Sequence, residues 1–342
     1  MRFCMRCCMM MKRGRTVFAL CGVLLLPLCL LSLSAGVSSV GLGDFLRAIA
    51  LGEIAEKAAR VLWHVRLPRL LAALLAGASL SLAGVILQEV LINPLAAPSV
   101  IGVNAGAGLF TLAALVLFPA FPRVTPVAAF LGALFSALLV YGLARFSGLS
   151  KTTIVLAGVA VSSLLGALMD AIVTFVPDAL GSRSAFSIGG FSNVSMAKLE
   201  FALPFCLVGM TVALLLQREL SILSMGDEVA RSLGLRVNGY RLLFLAAAAM
   251  LAGGAISFSG LLSFIGLITP HVARRLIGRD TAYLMPVTMT LGALLLAACD
   301  LMARTLFAPY ELPVGVILSF VGAPFFLRLL IQRKRSNRHD AV

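Results

Sequence analysis

The sequence predicts an all-α polytopic membrane protein of about ten transmembrane helices. Three observations carry that expectation. Of the 342 residues, 61% are hydrophobic and only 12% charged, with a mean hydropathy of +1.05, far more apolar than a soluble domain. Runs of the ~20 apolar residues needed to cross a hydrocarbon core recur along the whole chain. Lys and Arg gather in alternate gaps between those runs, as the bias toward cytoplasmic positive charge requires.

The first run, 16–36, follows a basic stretch (Arg2, Arg6, Lys12, Arg13, Arg15) and precedes SLSAGVSS. That layout also fits a signal peptide, but Val17 to Leu33 is long enough to cross and more runs follow, so it reads as an uncleaved span. The second, 69–91, begins just after Arg66 and Arg69 and carries Gly77, Ala78, Ser81 and Gly84, small residues that let another backbone approach closely in lipid. It breaks at Asn93-Pro94 and again at Ala97-Pro98, with Gly102, Gly106 and Gly108 following. Irregular backbone at membrane depth is tolerated only where protein buries it or it lines a watery cavity, so this break reads as part of a translocation path. The remaining runs are 99–118, 124–144, 152–176, 201–217, 240–258, 260–276, 283–303 and 312–331. They leave outer gaps at 37–65 and 177–200 and one large inner interruption at about 221–241. The whole of 1–342 then forms a single transmembrane domain with both termini in the cytoplasm.

The net charge of +14 follows from this topology and from contact with anionic lipid. No soluble basic module is left to bind nucleic acid. Cys4, Cys7 and Cys8 form a cytoplasmic cluster, where thiols stay reduced. Three ligands on a short tail make a poor metal site, and Met5, Met9, Met10 and Met11 leave the start of translation open. Cys21, Cys29, Cys206 and Cys299 read as small packing residues. No cofactor is expected.

Glu89, Asp170 and Asp300 fall near span ends, and the span centres lack Asp, Glu, Lys, Arg and His. Proton-coupled carriers need ionisable groups inside the membrane, so that class is disfavoured; sodium coupling through backbone carbonyls stays open. Enzyme signatures are missing: there is no H-E-x-x-H and no G-x-S-x-G, and His64, His271 and His339 are far apart. Gly148 to Thr153 ends like a phosphate loop, but Ser150 rather than Gly precedes Lys151. The chain is expected to hydrolyse nothing, so the energy for transport comes from elsewhere. Segment 226–235 reads as a short amphipathic helix. Val229, Leu233 and Leu235 form its apolar face, and Asp227, Glu228 and Arg231 stay wet. The strings LAGASLSLAGVILQ (75–88) and LAGGAISFSGLLSF (251–264) echo each other in opposite orientation, which suits an inverted repeat.

Several motifs occur in a fixed order: Arg66-Leu67-Pro68-Arg69, LAGA…G…Q, the NPLA turn from Asn93, G-D-E-x-A-x-x-L-G from Gly226, Pro270-His271-x-x-Arg274, and Leu312-Pro313-x-Gly315. Spread over residues 66–330, they resemble the permease subunits of type II ABC importers for iron-siderophores, haem and cobalamin, the FecCD-type permeases. The resemblance implies the type II importer permease fold and a homodimer in a bacterial inner membrane. It implies ABC ATPase subunits seated on Gly226, Asp227, Glu228, Ala230, Leu233 and Gly234. It also implies a periplasmic or lipid-anchored substrate-binding protein docked through Arg66, Arg69 and Arg304; without the resemblance, those arginines read as headgroup anchors. Asn93, Leu95 and Thr152 match a cytoplasmic gate, where Lys151 departs from the family's small polar pattern. Gly189 and Gly190 match a pair before a short outer helix, and His271 reads as structural. Iron-siderophore is the expected cargo, with haem and cobalamin as alternatives that no residue here separates. The rival reading is an ion-coupled secondary transporter acting alone, which has no need of the 226–235 helix.

Overall fold

A computed structural model describes residues 2–35, 60–99, 102–121, 124–146, 151–278 and 281–339. All regular structure among them is helical. The helices are α1 (Arg2–Ser34), α2 (Leu67–Val90, entered through a π-helical turn at Leu62–Arg66), α3 (Val103–Leu117), α4 (Val124–Phe146) and α5 (Lys151–Phe175). A short α6 (Ala179–Ile188) precedes α7 (Met196–Leu215), α8 (Gln217–Ser224) and α9 (Asp227–Ser232). The chain ends with α10 (Val237–Ser259), α11 (Ile265–Ile277), α12 (Thr281–Thr305) and α13 (Val314–His339). Among the described residues, seven helices are long and apolar enough to cross a membrane, and Val103–Leu117 and Val314–Arg328 are shorter apolar helices. With α11, these account for the ten expected runs.

α2 and α10 are the centre of the bundle, each 78% buried over its most apolar stretch. Their Ala- and Gly-rich sequences make this packing possible. A Cβ on Gly77 would strike the Gly292 carbonyl of α12, and one on Gly84 would strike the Gly266 carbonyl of α11. The pairs Arg69–Asp300 and Gly77–Gly292 show α2 and α12 running antiparallel. α3 and α4 meet through Gly106 and Gly132 in the same way. Gly102, at φ 75°, starts α3 and accepts a 2.7 Å hydrogen bond from Ser136 Oγ. At the periphery, α1 is 11% and α5 22% buried over the same measure. α5 packs through the stripe Ile154, Gly158, Val161 and Leu165.

Three expectations need correction. The basic N-terminal stretch is not a tail before the first span; α1 runs through it from Arg2. The chain is already helical at Arg60, ahead of the start expected after Arg69. Pro68 has no N–H to offer residue 64, and the helix widens there: Leu67 N–H reaches back to Leu62 O, a π turn. The run 260–276 is not one full span. Gly260 (φ 67°) and Phe264 (φ 66°) break it, leaving a 13-residue α11 about 20 Å long.

Candidate functional site

At the N-terminal end of α2, three arginines turn into the protein. Arg69 donates from Nε to Asp300 at 2.7 Å and from Nη1 to Glu311 at 2.6 Å. Arg304 Nε lies 3.2 Å from the other oxygen of Asp300, and its Nη2 donates to Ser32 Oγ at 2.6 Å and Ser32 O at 3.1 Å. Arg66 donates to Leu33 O at 2.6 Å and Ser34 O at 3.1 Å. Arg66, Arg69 and Arg304 are 4%, 6% and 4% exposed. The cluster therefore stitches the ends of α1, α2 and α12 together. Each of these three expected docking residues is committed here to groups of its own chain. The reading missed Asp300, Glu311 and Ser32 as partners; Arg66-Leu67-Pro68-Arg69 shows only one side of the pairing.

At its C-terminal end, α2 stops at Val90. Leu95 N–H donates to Asn93 Oδ1 at 3.0 Å, and Ala96 N–H to Asn93 O at 3.0 Å. Asn93 is thus a turn-former, as an Asn before Pro favours. Asn93 and Leu95 are both half-buried. Thr152 lies in the first turn of α5, but its side chain and that of Lys151 fall outside the described residues. One turn before Asn93, Arg274 of α11 bonds to Gln88 and donates to Glu89 at 2.8 Å, and Gln88 Nε2 donates to Gly266 O at 3.1 Å. Two motif residues, Gln88 and Arg274, thereby meet with Gly266 across 178 or more positions of sequence. His271 stands edge-on to Phe325, 5.9 Å between centroids. No group of three or more His, Cys, Asp or Glu occurs among the described residues; the side chains of Cys4, Cys7 and Cys8 are not among them.

The interruption before α10 folds as α8, a turn, and α9, only six residues long. Gly226 (φ 109°) and Gly234 (φ 83°) bound it, in conformations that L side chains avoid. Ala230 is fully buried, while Met225, Val229 and Leu233 stand out, Leu233 being 60% exposed. Asp227 is not simply wet: Arg241 of α10 donates to it at 2.6 Å, pinning the helix to the bundle, with Arg231 at 4.0 Å. Glu228 is exposed and Leu235 half-buried. α9 is therefore a rigid knob, held at Asp227 and Ala230, with apolar side chains on its free face.

The loop around α6 is tied down by its glycines. Gly190 N–H donates to Ser259 O at 2.8 Å, Leu261 N–H to Phe186 O at 2.8 Å, and Gly315 N–H to Gly189 O at 3.2 Å. A Cβ at Gly189 would strike Leu261 O, and one at Gly315 would strike Ile188 O. Beneath α6 lies a cavity of about 410 Å³ that Met169 and Phe186 line.

Residues 24–332 match the profile of the FecCD transport family. The chain belongs to the FecCD transport family. Relatives agree over most of their length. The permease is 35% identical over 299 residues to the Fe(3+)-citrate import system permease protein YfmD of Bacillus subtilis, covering 87% of this chain and 89% of the relative. It is 38% identical over 286 residues to the cobalamin import system permease protein BtuC of Halobacterium salinarum, covering 82% and 76%. Its fold matches, with a TM-score of 0.81 and 29% identity, an inward-facing chain of an ABC transporter assigned to the metal-chelate type. That match covers 93% of this chain and 99% of the other. The chain is a permease of metal-chelate type ABC importers.

Proposed function

We propose that this permease imports an iron-siderophore complex, that it works as a homodimer, and that ATPase subunits drive it through α9. Haem and cobalamin are the neighbouring cargo classes. The observation that carries the reading is the free apolar face of α9. Met225, Val229 and Leu233 are exposed on a helix that Arg241 and the burial of Ala230 fix in place. Exposed apolar side chains outside the spans are costly unless a partner covers them. A helix anchored at one edge transmits a push rather than absorbing it. The site of that push comprises Gly226, Asp227, Glu228, Ala230, Leu233 and Gly234. The gate comprises Asn93, Leu95 and Thr152, and the permease sits in a bacterial inner membrane with both termini inside.

The outer end receives a substrate-binding protein. Arg66, Arg69 and Arg304 serve that contact first by holding α1, α2 and α12 in register, and any direct pairing with acids of the partner exchanges their present bonds. Among those bonds Arg69–Glu311 is the most accessible, the Glu311 side chain being 38% exposed.

The test replaces Val229 and Leu233 together with Asp. Both are exposed, so insertion and stability are retained. Loss of ATP-driven uptake, with the variant still cofolding at parental yield, is the expected result. Full uptake by the double variant overturns the coupling assignment.

A further inference from the structure

Two helices of this permease end with the same hydrogen-bond pattern. After α9, Leu235 N–H donates to Ala230 O at 3.0 Å and Gly234 N–H to Arg231 O at 2.9 Å, with Gly234 at φ 83°. After α2, Asn93 N–H donates to Gln88 O at 3.0 Å and Ile92 N–H to Glu89 O at 3.2 Å, with Ile92 at φ 48°. In this cap the left-handed position belongs to glycine. The α9 cap obeys the rule, and the α2 cap breaks it with a β-branched residue, for which such a φ is an outlier. Burial does not offset the strain, because Ile92 is 37% exposed.

The strained residue has a fixed neighbour on one side and a turn on the other. On the α2 side, Arg274 holds both Gln88 and Glu89, and Gln88 holds Gly266 O. The close approach at Gly84 and Gly266 locks the same two helices. On the other side, Asn93 organises its own turn through bonds to Leu95 and Ala96. Rigid segments thus meet at a single unfavourable backbone conformation. Strain of this kind concentrates at switch regions.

We propose that Ile92 is a hinge. Its left-handed conformation is kept unfavourable so that the Asn93–Leu95 turn has a second accessible position, and the Arg274 clamp confines the movement to that turn. Ile92, Gln88, Glu89 and Arg274 act as positioning residues. The consequence for transport rests on the gate reading above; the existence of two positions does not. Removing Cβ favours the observed position by roughly five- to thirty-fold.

The test uses the full-length permease in lipid nanodiscs, without native cysteines, with nitroxides at Leu95→Cys and Arg218→Cys and labelled chains diluted among unlabelled ones. Arg218 is exposed on α8, which packs beside α2. Pulsed electron paramagnetic resonance is expected to show two distances in the parent. Ile92→Gly shifts their ratio five- to thirty-fold toward the position seen here. Ile92→Ala, which loses the same branches but keeps Cβ, shifts it by less than threefold. Arg274→Gln broadens the distribution, and the swap Glu89→Arg with Arg274→Glu narrows it again. One distance in the parent, or equal ratios for Ile92→Gly and Ile92→Ala, overturns the hinge. A shifted ratio with slower uptake supports both hinge and gate. A shifted ratio with parental uptake supports the hinge and overturns the gate reading.

Discussion

Asp300→Asn is expected to be among the most damaging single-atom changes in this permease. Asp300 is fully buried and holds two guanidinium groups, Arg69 at 2.7 Å and Arg304 at 3.2 Å. The cluster of Arg66, Arg69 and Arg304 against Asp300 and Glu311 carries three positive and two negative charges, a net +1. Without the Asp300 carboxylate it carries +2, with only Glu311, whose side chain is 38% exposed, to answer it. Removing one partner of a buried ion pair costs about 3–5 kcal/mol, because the other charge stays buried. Glu311→Gln, at the wet edge, is expected to cost no more than about 1 kcal/mol. Adding Arg304→Gln to Asp300→Asn returns the net charge to +1 and is expected to recover about 0.5–3 kcal/mol. Equilibrium unfolding in mixed micelles with a denaturing detergent reads these differences. The single tryptophan, Trp63, lies in the π turn beside the cluster and reports on it directly. Equal costs for Asp300→Asn and Glu311→Gln would refute the reasoning, since the two acids would then share one environment.

Further outcomes follow from the packing and the inner turn. Gly84→Ala places a methyl on the Gly266 carbonyl and is expected to cost about 1–3 kcal/mol, whereas Gly166→Ala meets open space and stays within about 0.5 kcal/mol; the same unfolding assay compares them. Cysteines at Leu95 or Thr152, in a background without native cysteines, are expected to crosslink between the two copies in one nucleotide state more than in another, since a disulfide needs Cα atoms within about 7 Å. An intact dimer that crosslinks at neither position in any state removes both from the gate. Arg69→Gln is expected to lower stability together with binding-protein affinity, measured by unfolding and by surface-immobilised titration. Loss of affinity without loss of stability would mean that the arginine faces the partner and not Asp300.

The broad plan was legible because bilayer thickness sets the length of an apolar run. Every long run contains a helix, though 260–276 is helical only from Ile265, and the small residues Gly77 and Gly84 did mark close approaches. What the sequence hid were pairings and breaks that depend on register. Arg69 finds its acids 231 and 242 positions away, a distance at which nothing local signals a partner. An outer arginine therefore looked like a group awaiting another protein. The π turn follows from Pro68, a residue that reads simply as a helix start. The break at Gly260–Phe264 sits inside an apolar string, where hydropathy is blind to φ. Ile92 is the extreme case, for its sequence signal opposes its conformation. At α9 the helix is present but shorter than the expected 226–235, ending before Gly234, and the wet face expected of Asp227 was an anchor to Arg241.

The central claim is that this permease moves cargo only when an ATPase pushes α9. The most direct measurement is uptake into proteoliposomes holding the permease and its ATPase, with ferric siderophore delivered on its binding protein and ATP supplied inside or withheld, under imposed proton or sodium gradients or none. The account expects uptake with ATP and no gradient, and none with a gradient and no ATP. Accumulation driven by an ion gradient through the permease alone, without the ATPase present, would contradict it.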